Sequence, residues 1–191
     1  VNFRDYAENT ALLSESVSLN VLNIKCPSIP IPGELNPDNA GYVLEMLAIA
    51  SEKTLRGEFS AIVTAPVHKG VINQSGVNFS GHTEFFAEVC GVEDVVMMLS
   101  SPKLRVALLT THIPLKDVAK SITPQRLEKA IQIIYTSFQN NYAVHNPKIC
   151  VAGLNPHAGA GGHIGREEED IIRPTLRKLK MQGLNVVGPL S

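Results

Sequence analysis

LRVALL at residues 104–109, TPQRLEKAIQIIYTSF at 123–138 and ICVA at 149–152 are the runs on which the fold turns. The first and third are short and almost wholly apolar, as strands buried on both faces are. The middle run places Leu127, Ala130, Ile131, Ile134 and Phe138 on one face of a helix of about four or five turns. Thr123 as N-cap and Pro124 at the first helical position give that helix its start. Apolar strand, amphipathic helix, apolar strand is the pattern of an α/β layer structure around a mostly parallel sheet flanked by helices. In such sheets ligands gather at the carboxyl ends of the strands.

The pattern extends in both directions. Towards the N-terminus, Val17 to Ile24 reads as a strand and Pro27 to Pro32 as a proline-rich loop. Asn36-Pro37 opens a helix striped with Tyr42, Val43, Met46, Leu47 and Ala50 and stopped near Gly57. Ser60 to Ala65 reads as a short buried strand, and Thr83 can cap a helix carrying Phe85, Phe86 and Val89 that Gly91 ends. Val95 to Leu99 and Leu104 to Leu109 read as neighbouring strands about the turn at 100–103. Towards the C-terminus, Glu167 to Met181 has helical spacing, with acids in its first turn and bases in its last, and Gly183 closes it. Pro174 is expected to kink or split that helix.

With 191 residues and 44% hydrophobic side chains, the chain can bury a substantial core, as one domain or as one large lobe plus part of another. Lys and Arg total 17 against 18 Asp and Glu, which argues against nucleic acid or an anionic membrane surface as partner. No run approaches the roughly 18 apolar residues of a membrane span. Cys26, Cys90 and Cys150 are odd in number and widely spaced, and read as buried, reduced thiols of a cytoplasmic protein. The chain opens on Val1 and closes on Ser191 just after the strand-like Asn185 to Val187, so both ends are expected to be truncated.

Three histidines follow apolar runs: His68 after 60–65, His112 after 104–109 and His157 after 149–152. If those strands run parallel, the three emerge on one sheet edge, where neutral imidazoles from separate strand ends can assemble a metal site. Taken alone, each reads first as a polar loop residue, and only their convergence would make a metal site. Residues 154–165, LNPHAGAGGHIG, hold four glycines and lead into a helix, as close backbone approach to a ligand requires, or as any flexible connector does. The loop misses the dinucleotide fingerprint, since the third glycine position falls on Ile164. Gly81-His82-Thr83-Glu84 opens a helix, where free N–H groups favour an anion such as phosphate. Lys69 is either a phosphate contact or a solvated cation, and His145 is a surface residue.

Five segments in order and spacing resemble the 4-hydroxythreonine-4-phosphate dehydrogenase family: TAPVHKGVIN at 64–73, SGHTEFF at 80–86, TTHIPL at 110–115, GLNPHAG at 153–159 and GPL at 188–190. The resemblance implies an isocitrate and isopropylmalate dehydrogenase-like α/β fold, of which residues 1–191 would be the central portion of a two-lobed enzyme. It also implies a homodimer with its active site at the subunit interface. His112 and His157 fall on two of the family's three metal-ligand histidines, with zinc, magnesium or cobalt as the ion. His82 and Thr83 fall on its substrate-contacting pair, His82 also as a candidate proton-transfer group. The third metal ligand and the later substrate-binding Lys, Asn and Arg of the family have no counterpart among these residues. Residues for the NAD or NADP cofactor are unassigned. Ala160 stands where many relatives have Glu, and His163 matches no ligand position.

The reaction implied is oxidation by NAD of the 3-hydroxyl of 4-phosphooxy-L-threonine, then decarboxylation to 3-amino-2-oxopropyl phosphate in pyridoxine 5'-phosphate biosynthesis. Alternatives within the class are a dehydrogenase of erythronate or threonate 4-phosphate or of a dihydrodiol. Outside it stand a zinc hydrolase or acyltransferase, although no His-Glu-x-x-His is present, and an inert fragment.

Overall fold

The computed structural model describes residues 2–6 and 18–191 and divides into two compact units, residues 1–91 and 92–191.

In the first unit β1 (Asn2–Asp5) pairs in parallel with β2 (Ser18–Val21), Phe3 facing Leu19 and Arg4 facing Asn20. The predicted strand beginning at Val17 is thus a shorter one, and Val17 itself lies outside the described residues. Asn36 accepts from the Asp38 N–H at 2.9 Å and starts a single 3-10 turn, Pro37–Asn39, that runs into α1 (Ala40–Leu55). The expected stripe is present: Leu47 is buried and Val43 half-buried against Ala40, Ile72 and Phe79, the core of this unit. Two short helices complete it, α2 (Lys69–Gln74) and α3 (His82–Cys90). Gly91 ends α3 in the left-handed conformation at φ +65°, as its lack of a Cβ allows.

The strand predicted at 60–65 is corrected. Residues 61–68 lie outside helix and strand, and Val63 is 97% exposed. A strand exists by pairing with another strand, and no described strand pairs with this run.

In the second unit β3 (Met97–Ser100) and β4 (Arg105–Leu108) form an antiparallel hairpin, its turn held by the Ser101 N–H donating to Leu104 O at 2.8 Å. A 3-10 turn at Leu115–Asp117 and the short α4 (Val118–Ser121) lead to α5 (Pro124–Tyr142). Thr123 caps α5 as expected, its hydroxyl accepting from the Arg126 N–H at 3.2 Å. Arg105 lays its guanidinium over the rings of Phe138 and Tyr142, at 5.6 and 5.2 Å, tying the end of α5 to β4. Then β5 (Ile149–Ala152) pairs in parallel with β6 (Val186–Leu190). Between them a widened π-helical turn, Glu168–Ile172, passes into α6 (Arg173–Met181). Pro174 is thus accommodated at the start of an α segment, the split its missing N–H demands.

Leu127 and Ile131 of α5 bury against Ile172, Leu176, Leu179 and Val186 to make the core of this unit, with Leu109, Ile149, Val151 and Leu154 packed at its edge. Among the described residues two of the three strand pairs are parallel, and helices accompany them: the α/β class read from sequence. The reading of three strands sharing one sheet edge is not met, because the 60–65 run is no strand and β4 and β5 stand in separate sheets. The cysteines are free, but only Cys26 is even half-buried; Cys90 and Cys150 are exposed, correcting the expectation. β5 alternates its faces, Ile149 and Val151 towards the core and Cys150 away from it. No helix among the described residues is long and apolar enough to cross a membrane.

Candidate active site

In the first unit the candidate residues lie at the start of α3. Gly81, not Thr83, is the N-cap: its carbonyl accepts from the Phe85 N–H at 3.1 Å, and His82 and Thr83 are the first two helical residues. The Thr83 cap reading is therefore corrected. A side chain at Gly81 is disfavoured by its φ of +150° and by crowding, since a Cβ would stand 3.0 Å from the Lys69 ammonium and 3.0 Å from a Glu84 carboxylate oxygen. The His82 ring stacks on Phe86 at 6.0 Å and meets Phe79 edge-on at 6.3 Å. Its Nε2 is buried and has no hydrogen-bond partner among the described residues. The Thr83 side chain is exposed. An uncommitted imidazole nitrogen, a hydroxyl, the open N–H groups of a helix start and a neighbouring ammonium are a donor set suited to an anionic substrate.

Lys69 is brought to this point by α2, an element the sequence reading left unassigned. His68 is the N-cap of α2, its Nδ1 accepting from the Val71 N–H at 3.2 Å. It also lines a cleft of about 230 Å³ together with Asn36, Asn39 and Val71, to which neither His82 nor Thr83 contributes. His68 is a capping residue rather than part of a histidine cluster; histidine is not among the usual caps, so sequence offered no signal for this role.

The second unit positions His112 and His157. Leu109, just past β4, packs on the core of this unit, and three residues later His112 is exposed with φ +54°. Leu154, just past β5, packs on the same core, and three residues later His157 is exposed. A left-handed backbone at a residue bearing a Cβ costs about 1–2 kcal/mol and collects at functional positions. After His157 every residue from 158 to 162 has positive φ, from +43° at Ala158 to +95° at Gly162. The turn is closed by Asn155, whose side chain accepts from the His157 N–H at 2.9 Å, and by the Ile164 N–H donating to Gly159 O at 3.1 Å. His163 and His145 are exposed; the carbonyl of His145 accepts from Gln139 at 2.9 Å.

Two exposed imidazoles on loops from one core are donors that fit a divalent ion. They are fewer than the three protein ligands of a catalytic zinc site, and no group of three or more His, Cys, Asp or Glu suited to a metal forms among the described residues. Glu168, buried beneath the His157 loop, escaped the sequence reading altogether.

Residues 1–191 match the family described as pyridoxal phosphate biosynthetic protein PdxA. The chain belongs to this family. It is 52% identical over 191 residues to a 4-hydroxythreonine-4-phosphate dehydrogenase of Erwinia tasmaniensis, covering 100% of this chain and 58% of the relative. Among solved structures, a putative 4-hydroxythreonine-4-phosphate dehydrogenase from Salmonella typhimurium aligns with TM-score 0.86 at 30% identity, over 99% of this chain and 58% of its own. A terephthalate 1,2-cis-dihydrodiol dehydrogenase from Burkholderia xenovorans aligns less closely, with TM-score 0.64 at 25% identity over 100% of this chain and 59% of its own. The α/β dehydrogenase fold expected from sequence is thereby shown, and the chain spans about half the length of the curated relatives it matches.

Proposed function

We propose that this chain is the central portion of a two-lobed, homodimeric, cytoplasmic dehydrogenase that oxidises the 3-hydroxyl of 4-phosphooxy-L-threonine with NAD or NADP. The keto acid formed then loses carbon dioxide to give 3-amino-2-oxopropyl phosphate for pyridoxine 5'-phosphate synthesis. The observation that carries the reading is the matched placement of His112 and His157, each three residues beyond a leucine packed on the same core, with uncommitted rings. In this role both imidazoles bind a divalent ion, zinc, magnesium or cobalt. That ion supplies Lewis-acid stabilisation of negative charge on the substrate's oxygen. His82 and Thr83 orient the anionic substrate at the start of α3, and His82 is the candidate proton-transfer group.

The test is made on the complete protein that this proposal requires. NADH formation is followed on a panel of phosphorylated hydroxy acids and a cis-dihydrodiol, with and without chelator. Chelator-sensitive turnover of 4-phosphooxy-L-threonine is the expected result, and His112→Ala should lose bound metal and turnover together. Full metal content in that variant refutes the ligand assignment. Turnover of the dihydrodiol alone favours a second reading, which rests on the structural likeness to the Burkholderia xenovorans enzyme.

A further inference from the structure

Glu168 is a carboxylate where the packing calls for an apolar side chain. It opens the π-helical turn ahead of α6 and is 0% exposed, among the most completely buried side chains of the second unit. The two acids that follow it are paired instead with cations, Glu169 with Arg173 at 2.9 Å and Asp170 with Arg166 at 2.8 Å. Burying a polar group is unfavourable unless a partner repays it. Glu168 has one such partner: Oε1 accepts from the Leu154 N–H at 2.8 Å. Oε2 is buried with no partner among the described residues.

Two points of the His157 loop, its entrance and its apex, lie against that carboxylate, and the apex lies in turn against the exit. At its entrance, a Cβ on Gly153 would stand 3.1 Å from Oε1 and 2.8 Å from the Ala158 methyl. At its apex, a Cβ on Gly159 would stand 2.7 Å from Oε2. At its exit, the same Cβ would stand 2.9 Å from the Gly165 carbonyl oxygen. The carboxylate thus crowds Gly159, which also holds φ +73°, while Gly153 is held small first by the close approach of Ala158 and only then by the carboxylate. The Leu154 N–H it satisfies sits just where β5 ends and the loop departs, a backbone donor that would otherwise be buried without an acceptor.

We propose that Glu168 is a positioning residue of the candidate metal centre: its buried carboxylate fixes the course of residues 153–165 and so the presentation of His157. The inference rests on the reading of His157 as a metal ligand and adds to it the group that holds that ligand in place. Partners that orient metal ligands without touching the ion commonly change affinity by about 10- to 100-fold when removed.

The experiment uses the complete protein and a cobalt(II) titration, read from the imidazole Cε1–H resonances of His112 and His157, alongside thermal unfolding. Glu168→Gln keeps an oxygen acceptor for the Leu154 N–H and is expected to bind cobalt close to the unmodified affinity. Glu168→Ala, folded but lacking the acceptor, is expected to weaken cobalt binding about tenfold or more. A folded Glu168→Ala chain with unchanged affinity overturns the proposal, because a merely structural role lowers the melting temperature and leaves the metal alone. Equal loss in both variants also overturns it, by assigning the effect to charge rather than to the acceptor. Should Glu168→Ala not fold, Gly159→Ala keeps the carboxylate and pushes a methyl against it; weakened binding supports the proposal and unchanged binding ends it. His157→Ala is the separate check: unaltered cobalt affinity there strikes at the metal reading itself, whatever Glu168 does.

Discussion

Glu58 accepts from the Lys53 ammonium at 3.0 Å and from the Tyr6 hydroxyl at 2.8 Å, with Lys53 also lying over the Tyr6 ring at 5.1 Å. The hydrogen bond from Lys53, and next that from Tyr6, holds the Glu58 carboxyl below its ordinary value of 4.5. The Tyr6 hydroxyl is raised above 10.0, chiefly by its bond to Glu58. A lowered carboxyl stabilises the fold above its ordinary titration range, and that contribution fades as the pH falls through the lowered value. The raised phenol works in the opposite sense, its contribution being complete below pH 10.0 and lost as the pH rises through the raised value. Thermal melts across pH should therefore show Glu58→Gln shallower than the unmodified chain on the acid side and Tyr6→Phe shallower on the alkaline side. Identical slopes would remove the trio from the stability of the first unit. None of this was legible in sequence, since Tyr6 and Glu58 are 52 positions apart and ordinary surface residues by type. His112 and His157 stand out in the sequence because short motifs mark them. Glu168 does not, because its burial is decided by the close approach of Gly153 and Gly159, residues that in sequence read only as loop.

Helix α5 was read nearly complete because its signals are local. Thr123, Pro124 and a stripe at helical spacing each act within a few residues of the backbone they shape. Loss of the cap should be felt accordingly: Thr123→Ala is expected to destabilise by about 1 kcal/mol and Thr123→Ser by far less. Urea denaturation would check this, and equal midpoints for alanine and threonine would mean the 3.2 Å bond to Arg126 contributes nothing. The run at 60–65 failed for the converse reason. Apolar composition says that a segment can be buried, whereas a strand needs a partner, and Val63 has neither burial nor a ladder here. The start of α3 was missed by two residues because Thr83 is a good cap by type, while the crowding of Lys69 and Glu84 about Gly81 decides the true one.

Among the described residues, burial falls into two clusters, one in each compact unit. In the second, Leu176 and Leu179 are 1% and 0% exposed and meet side chains from α5, the π-helical turn and β6. Leu176→Ala should therefore cost about 2–5 kcal/mol, read by denaturant titration; a cost under about 1 kcal/mol would show that the cluster closes over the gap. The cysteines carry a different consequence. Cys90 closes α3 in the first unit and Cys150 sits on the outer face of β5 in the second, both open to reagents, while Cys26 is half-shielded. With Cys26→Ser the chain offers one natural attachment point for a dye or spin label on each unit. Each unit's response to added substrate or metal can then be followed from its own label, with no foreign thiol introduced.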